Sequence, residues 1–98
     1  MILTGVTAIL HAAHVGPSGS LHGHTWHVTA WTDATIHRDA ECLKVRLEGL
    51  LKAWNDTTLP PELSTGEAIA AAVGQLFGDC VKVTVERPGE RIAAEWTP

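Results

Sequence analysis

Basic residues are scarce in this sequence, and long hydrophobic runs are absent from it. Seven Lys and Arg residues stand against eleven Asp and Glu residues, which gives a net charge of −4, so we expect no nucleic-acid partner. No apolar run reaches the roughly 18 residues that a membrane span needs, so we expect no membrane association. The N-terminus lacks the basic region and the cleavage site of a secretory signal. These absences together favour a cytoplasmic protein.

Cysteine is also rare, with only Cys42 and Cys80 present. The two could pair in principle, but nothing indicates secretion, which favours two reduced, partly buried thiols. Hydrophobic residues make up 45% and charged residues 18% of the chain, as in a globular protein rather than a disordered one. The length predicts a single domain over residues 1–98 with one modest core.

Histidine, in contrast, is concentrated in one place, since five of the six histidines lie between residues 11 and 27. Apolar residues alternate with others over residues 1–14 and again over residues 24–31, and a Gly/Pro/Ser loop lies between them. This period of two predicts a hairpin of two long strands. His14, His22 and His24 have even numbers, so their side chains should share one face of that hairpin.

These three histidines predict a metal site. Three imidazoles without a thiolate leave one position of a zinc ion open for water or substrate, although ligand type alone does not separate zinc from iron or nickel. The alternative is that they are surface or capping histidines. His11 and His27 have odd numbers, so we expect structural roles for them, or for His27 a hydrogen bond that supports a ligand.

Two helices are predicted after the hairpin. Asp39 is a suitable N-cap, preceded by the polar His37, and the following leucine stripe ends in the polar and proline-containing segment 55–61. The segment 64–67, Ser-Thr-Gly-Glu, has the pattern of a capping box, in which the serine caps the helix and the glutamate reaches back. The second helix should then continue to Phe77.

Two further strands are predicted at the end of the chain, where residues 81–86 alternate between apolar and polar and residues 91–96 follow a Pro-Gly turn of type II. The element order is therefore ββααββ. The simplest assembly is an α+β fold with a four-stranded antiparallel sheet and both helices on one of its faces.

This order, the Ala-Ala-His that ends the first strand and the His-Gly-His that opens the second resemble the 6-pyruvoyl-tetrahydropterin synthase family. That family includes the 6-carboxy-tetrahydropterin synthases of queuosine biosynthesis. The resemblance covers nearly the whole chain, including the helix start at Asp39, the segment 64–67 and the strand at 84–86. It implies a tunnelling fold, in which the sheets of three subunits join into a barrel. The expected assembly is a homo-oligomer, a trimer or a dimer of trimers, with active sites between subunits.

The resemblance also implies a chemistry and a set of site residues. The enzymes of the family act on 7,8-dihydroneopterin triphosphate and bind Zn²⁺, which acts as a Lewis acid, through three histidines. In this chain the metal ligands fall on the three even-numbered histidines. The pterin-anchoring carboxylate falls on Glu86, and Thr65 and Glu67 fall in the pterin pocket. A carboxylate suits this task because it can accept two parallel N–H donors.

The chain departs from the family at the groups that move protons. Ser18 stands where the family commonly has a cysteine, and a serine hydroxyl is a much weaker base than a thiolate. Asn55 and Asp56 stand where the family has an Asp-His pair. Ser18 and Asp56 are therefore candidate catalytic residues that a loop and a turn would also explain. We expect a zinc-dependent lyase with altered acid and base groups or, alternatively, a non-catalytic zinc-containing paralogue that binds a pterin or a purine.

Overall fold

The computed structural model describes residues 1–36 and 39–98, so His37 lies outside the described residues. Two long strands, β1 (Leu3–Val15) and β2 (Leu21–Asp33), form the predicted antiparallel hairpin. The other elements are α1 (Ala40–Leu51), β3 (Thr57–Thr58), a 3-10 turn (Pro61–Leu63), α2 (Gly66–Leu76), β4 (Lys82–Arg87) and β5 (Ile92–Trp96). The α+β class is confirmed. No helix of these described ranges is long and apolar enough to cross a membrane.

The four predicted strands are present and pair antiparallel, but the sheet contains five strands in the order β3-β1-β2-β4-β5, so the predicted count of four is wrong. The additional strand, β3, has two residues and pairs in parallel with Ala12 and Ala13 of β1. Asp56 adopts a left-handed conformation with φ 58°, and its N–H donates to the carbonyl of His11 at 2.6 Å. The sheet is open, with β3 and β5 at its edges, so a barrel would need further subunits.

One face of the sheet carries the core. The even-numbered residues of β1 and β2 and the odd-numbered residues of β4 share that face, because Val28 pairs with Val85 and Ala30 with Val83. The buried strand residues are Val6, Ala8, Leu10, Ala12, Trp26, Val28, Ala30, Val83 and Val85. Buried residues of both helices belong to the same core, so the prediction that both helices pack on one face is confirmed.

The first helix begins as predicted. The side chain of Asp39 accepts a hydrogen bond from the N–H of Cys42 at 3.1 Å, which caps the helix. Its buried residues are Leu43, Leu47 and Leu51, spaced four apart as a helix face requires. Both cysteines are free. Cys42, in the first helix, is exposed, and Cys80 is buried.

The second helix begins one residue later than predicted, with Thr65 as its N-cap. The Thr65 side chain accepts from the N–H of Ala68 at 3.1 Å, whereas the hydroxyl of Ser64 donates to the carbonyl of Pro61 at 2.9 Å. The hydroxyl of Ser64 is already hydrogen-bonded, because this residue ends the 3-10 turn. The backbone carbonyl of Ser64 is a separate acceptor and can take a hydrogen bond from another donor.

The turn between β4 and β5 is also not the predicted type II. The N–H of Glu90 donates to the carbonyl of Arg87 at 3.1 Å, which closes a four-residue turn. A type II turn needs a positive φ at its third residue, but the residue here with positive φ is Arg91, at 58°, and not Gly89. The residue in the left-handed conformation, Arg91, thus follows the turn of residues 87–90.

Candidate metal centre

The hairpin brings the three even-numbered histidines together at its open end. His14 lies near the end of β1 and is the register partner of His22 on β2, and His24 follows two residues later on the same face. The ring centroids are 4.6 to 4.7 Å apart for all three pairs. One nitrogen from each ring lies within 4.8 Å of the other two, so this group can hold a metal ion.

Two of these rings are oriented by backbone carbonyls. The Nδ1 atom of His14 lies 2.5 Å from the carbonyl oxygen of Ser64, and the Nδ1 atom of His22 lies 3.1 Å from that of Ser20. A carbonyl oxygen can only accept, so each Nδ1 carries a proton, and in the neutral form of each ring Nε2 presents a lone pair. Metal-binding histidines typically have such an oxygen partner on the nitrogen that faces away from the metal.

The two Nε2 atoms of His14 and His22 face each other at 3.0 Å. Two lone pairs at this distance repel each other unless a proton or a metal ion lies between or beside them. Tetrahedral zinc with Zn–N bonds of about 2.0 to 2.1 Å would hold its nitrogens roughly 3.3 Å apart. The pair therefore needs only a small adjustment to bind such an ion, and this geometry fits the chemistry of the donor set.

His24 has charged partners on both ring nitrogens. Its Nδ1 lies 3.1 Å from Oε1 of Glu90, and its Nε2 lies 2.8 Å from a guanidinium nitrogen of Arg87. A guanidinium can only donate, so the Nε2 lone pair of His24 is used by Arg87. Burial, followed by the charge of Arg87 and the proximity of His14, lowers the pKa of His24 below its ordinary value. These effects favour the neutral form of His24, which is the form that binds a metal.

A glycine makes room for one of the rings. A Cβ on Gly16 would lie 2.6 Å from Cε1 of His22, which is closer than two carbon atoms can approach without movement. Gly23, which lies between two of the histidines, has no atom within 4 Å of an added Cβ. The close approach that matters is thus at the start of the loop and not inside the His-Gly-His motif.

A cavity of about 390 Å³ opens beside the histidines. This volume lies in the range of small-molecule sites. The lining includes His14, His22, Trp26, Thr65, Glu67 and Arg87. Thr65 and Glu67, which were predicted to bind substrate, therefore lie in one cavity with two of the predicted metal ligands. They reach it because Ser64, which comes just before α2, contacts His14 near the end of β1.

No protein-family model matches the chain, and no curated protein matches it. The three-histidine group and the cavity beside it are therefore the observations on which a function must be argued.

The structure does not bring the other predicted site residues to this cavity. Within residues 1–36 and 39–98, the lining contains neither Glu86 nor Ser18 nor Asp56. Glu86 is exposed and pairs with His27, on the face opposite the core. The hydroxyl of Ser18 contacts that of Ser20 at 3.0 Å in the exposed loop. Asp56 lines a separate depression, to which His24 also contributes.

Two residues of the site were missed from the sequence. Arg87 lines the cavity, and it follows the alternation of β4, in which Val83 and Val85 are buried and Glu86 is exposed. That alternation is visible in the sequence and could have identified residue 87, rather than residue 86, as the cavity-facing position. Glu90 gave no such signal, because its contact with His24 depends on the turn between β4 and β5.

Proposed function

We propose that the chain is a zinc-dependent lyase of the 6-pyruvoyl/6-carboxy-tetrahydropterin synthase type, acting on 7,8-dihydroneopterin triphosphate or a related dihydropterin. The observation that carries the proposal is the convergence of three histidine rings, each with an oxygen partner on Nδ1, beside a cavity of about 390 Å³. When bound, zinc would supply Lewis acidity and leave one coordination position for a substrate hydroxyl. The unpaired cysteines agree with the cytoplasmic location that we also propose.

Glu67 is the best-placed anchor for the pterin ring. It lines the cavity, in the first turn of α2, and an ionised carboxylate can accept from two adjacent N–H groups of a pterin. Trp26 provides an aromatic wall of the same cavity. The role predicted for Glu86 would require the cavity of a neighbouring subunit, and a homotrimer or a dimer of trimers is the assembly that we propose for this purpose.

A non-catalytic zinc-containing paralogue that binds a pterin or a purine is the second candidate. The specific observation in its favour is the position of the two candidate proton-transfer groups. Ser18 lies in the exposed loop, and Asp56 lies outside the cavity that contains Thr65 and Glu67, so neither residue lines the place where the pterin ring would bind. Such a protein would keep the metal and the ligand pocket and would lack turnover.

Metal content tests the centre first. The purified chain should bind one zinc ion per subunit, and a double His22→Ala, His24→Ala variant should lose it. His27→Ala is the matched control, because this histidine lies on the opposite face of β2, and it should bind zinc as the wild type does. Equal zinc content in the double variant and the wild type would refute the metal centre.

Turnover separates the two candidate functions. The zinc-loaded chain would be incubated with 7,8-dihydroneopterin triphosphate, and the release of triphosphate or acetaldehyde would be measured. Release supports the lyase, whereas binding without release supports the paralogue. Glu67→Gln should weaken binding roughly 10- to 100-fold, since it removes a charged acceptor, and a loss of binding in Glu86→Gln as well would show that Glu86 reaches the cavity of a neighbouring subunit. The reverse pattern would restore Glu86 as the anchor.

A further inference from the structure

Arg87 is a half-buried cation without a carboxylate partner. It donates to the Nε2 atom of His24 at 2.8 Å, and its guanidinium carbon lies 5.3 Å from the ring centroid of Trp26. No ion pair to a carboxylate is formed by Arg87 within the described part of the chain. Its direct partners are thus an imidazole nitrogen and an aromatic face, and neither is an anion that would pair with the guanidinium.

A residue of the same cavity, Trp26, carries a donor without a partner in the described part of the chain. The indole of Trp26 is 2% exposed and lines the cavity, yet its Nε1–H has no hydrogen-bond partner among the described residues. A buried N–H without a partner costs free energy. Beside the histidines, the indole N–H of Trp26 therefore has no acceptor within residues 1–36 and 39–98, and Arg87 has a nitrogen acceptor but no anionic one.

Metal binding would change the position of Arg87. The Nε2 lone pair of His24 cannot serve the guanidinium and a metal ion at once, and a dication would also repel the guanidinium. Trp26 can hold the guanidinium by its ring face while the hydrogen bond to His24 is given up. The freed N–H groups would then lie in a cavity whose charge has become more positive.

We propose that the cavity takes a ligand that carries an oxyanion group, a carboxylate or a phosphate, and that Arg87 transfers its hydrogen bonds from His24 to this group when the metal binds. The proposal rests on the metal-binding part of the proposed function and does not depend on lyase turnover. It makes Arg87 a residue that determines specificity for anionic ligands. Glu67, the carboxylate of the lining, would accept from N–H groups on another part of the same ligand.

Cobalt(II) provides a direct test, because its visible absorption reports both metal binding and the arrival of a ligand at the metal. The full chain would be loaded with cobalt and titrated with acetate, with inorganic phosphate and with imidazole, which is a neutral ligand. The variants are Arg87→Gln, Arg87→Lys and, as a control, Arg91→Gln. Arg91 is exposed and does not contribute to the cavity lining, so its replacement removes the same charge without touching the site.

Arg87→Gln should strengthen the binding of cobalt and weaken the binding of the oxyanion. Cobalt should bind roughly 2- to 10-fold more tightly, because the competitor for His24 is gone. The oxyanion should bind roughly 10- to 100-fold more weakly, and imidazole should be unaffected. The oxyanion affinity of Arg87→Lys should lie between those of the wild type and Arg87→Gln, since an ammonium lacks the planar fork of the guanidinium. The tighter-binding anion, acetate or phosphate, identifies the class of group that the site prefers.

Three outcomes would overturn the proposal. One is an unchanged anion affinity in Arg87→Gln with normal cobalt binding, which would leave the metal centre standing. Another is an equal loss of cobalt, anion and imidazole binding, which would make Arg87 a structural residue. The third is an absence of cobalt binding by the wild type, which would remove the metal centre and the inference with it. Absence of lyase turnover alone would refute the proposed enzyme and leave the role of Arg87 intact.

Discussion

At the scale of single residues, the candidate metal centre depends on the absence of a side chain at Gly16 as well as on the three histidines. The His22 ring occupies the space where a side chain at residue 16 would lie, with 2.6 Å between an added Cβ and Cε1 of the ring. The Nδ1–H of His22 also donates to the carbonyl of Ser20 in the same loop, which orients the ring. The loop therefore fixes one ligand by a close approach and by a hydrogen bond.

Gly16→Ala should weaken metal binding without removing a ligand. The added methyl displaces the His22 ring, and we expect a loss of affinity on the order of tenfold, comparable to losing an orienting partner of a ligand. Gly23→Ala is the matched control and should stay within about twofold of the wild type, since nothing lies near its Cβ. Titration with zinc in competition with a chelator measures both. Equal affinities for the two variants would contradict this role of Gly16.

His24 should make the metal-free protein less stable in acid. Burial, then Arg87 and His14, lowers the pKa of His24 from 6.5, so the unfolded state takes up a proton at a higher pH than the folded state does. As the pH falls through about 6.5, the unfolded state binds more protons and the free energy of unfolding decreases. His24→Gln should show a shallower decrease in urea unfolding between pH 7.5 and pH 5.5, with a chelator present. A slope equal to that of the wild type, together with an unchanged slope in His27→Gln, would contradict the assignment.

At the scale of elements, the two long strands and both helices could be predicted because their periodicity extends over many residues. Short-range features could not. The strand β3 has two residues and therefore no period, and it exists because Asp56 and Leu59 donate to carbonyls of β1. The N-cap of α2 is Thr65 and not the predicted Ser64, because the hydroxyl of Ser64 is hydrogen-bonded within the preceding 3-10 turn. Such local competition between turns is not visible in a capping-box pattern.

The N-cap of α2 gives a stability prediction with an internal control. Thr65→Ala removes the acceptor for the N–H of Ala68 and should lower the free energy of unfolding by about 1 kcal/mol. Ser64→Ala keeps the carbonyl that contacts His14 and removes only an exposed hydrogen bond, so its effect should stay within about 0.5 kcal/mol. Urea unfolding of the metal-free proteins compares them. A larger loss from Ser64→Ala would return the cap to the serine.

In the site, too, residues related by a strand period could be predicted from the sequence, and contacts between strands could not. His14, His22 and His24 could be grouped from the sequence because one strand period places them on one face. Glu86 was assigned from a resemblance, and the alternation of β4 places it on the opposite face from Val85. The contacts of His24 with Arg87 and Glu90 cross from β2 to another strand and its turn, and such contacts depend on the register between strands.

At the scale of the whole molecule, metal binding should stabilise the fold. The ligands come from both strands of the hairpin, and the carbonyl that orients His14 belongs to Ser64, just before α2. At a free zinc concentration 100 times the Kd, linkage predicts about 2.7 kcal/mol of added stability, or a rise in Tm of roughly 10 to 20 °C for a domain of this size. Thermal unfolding with zinc and with a chelator measures it. The His22→Ala, His24→Ala double variant should show no rise, and a rise equal to that of the wild type would locate the zinc elsewhere.

The closeness of the ligands along the chain has a consequence for the order of folding. All three lie between residues 14 and 24 in one hairpin, so closing the loop among them costs little chain entropy. A hairpin forms within microseconds, well before the distant strands β4 and β5 need to pair. Metal can therefore be captured by the hairpin while the helices are still undocked, and it would then fix the register of β1 and β2 for the strands that join later. Zinc would act on this chain as a folding nucleus, with its main kinetic effect on the refolding rate.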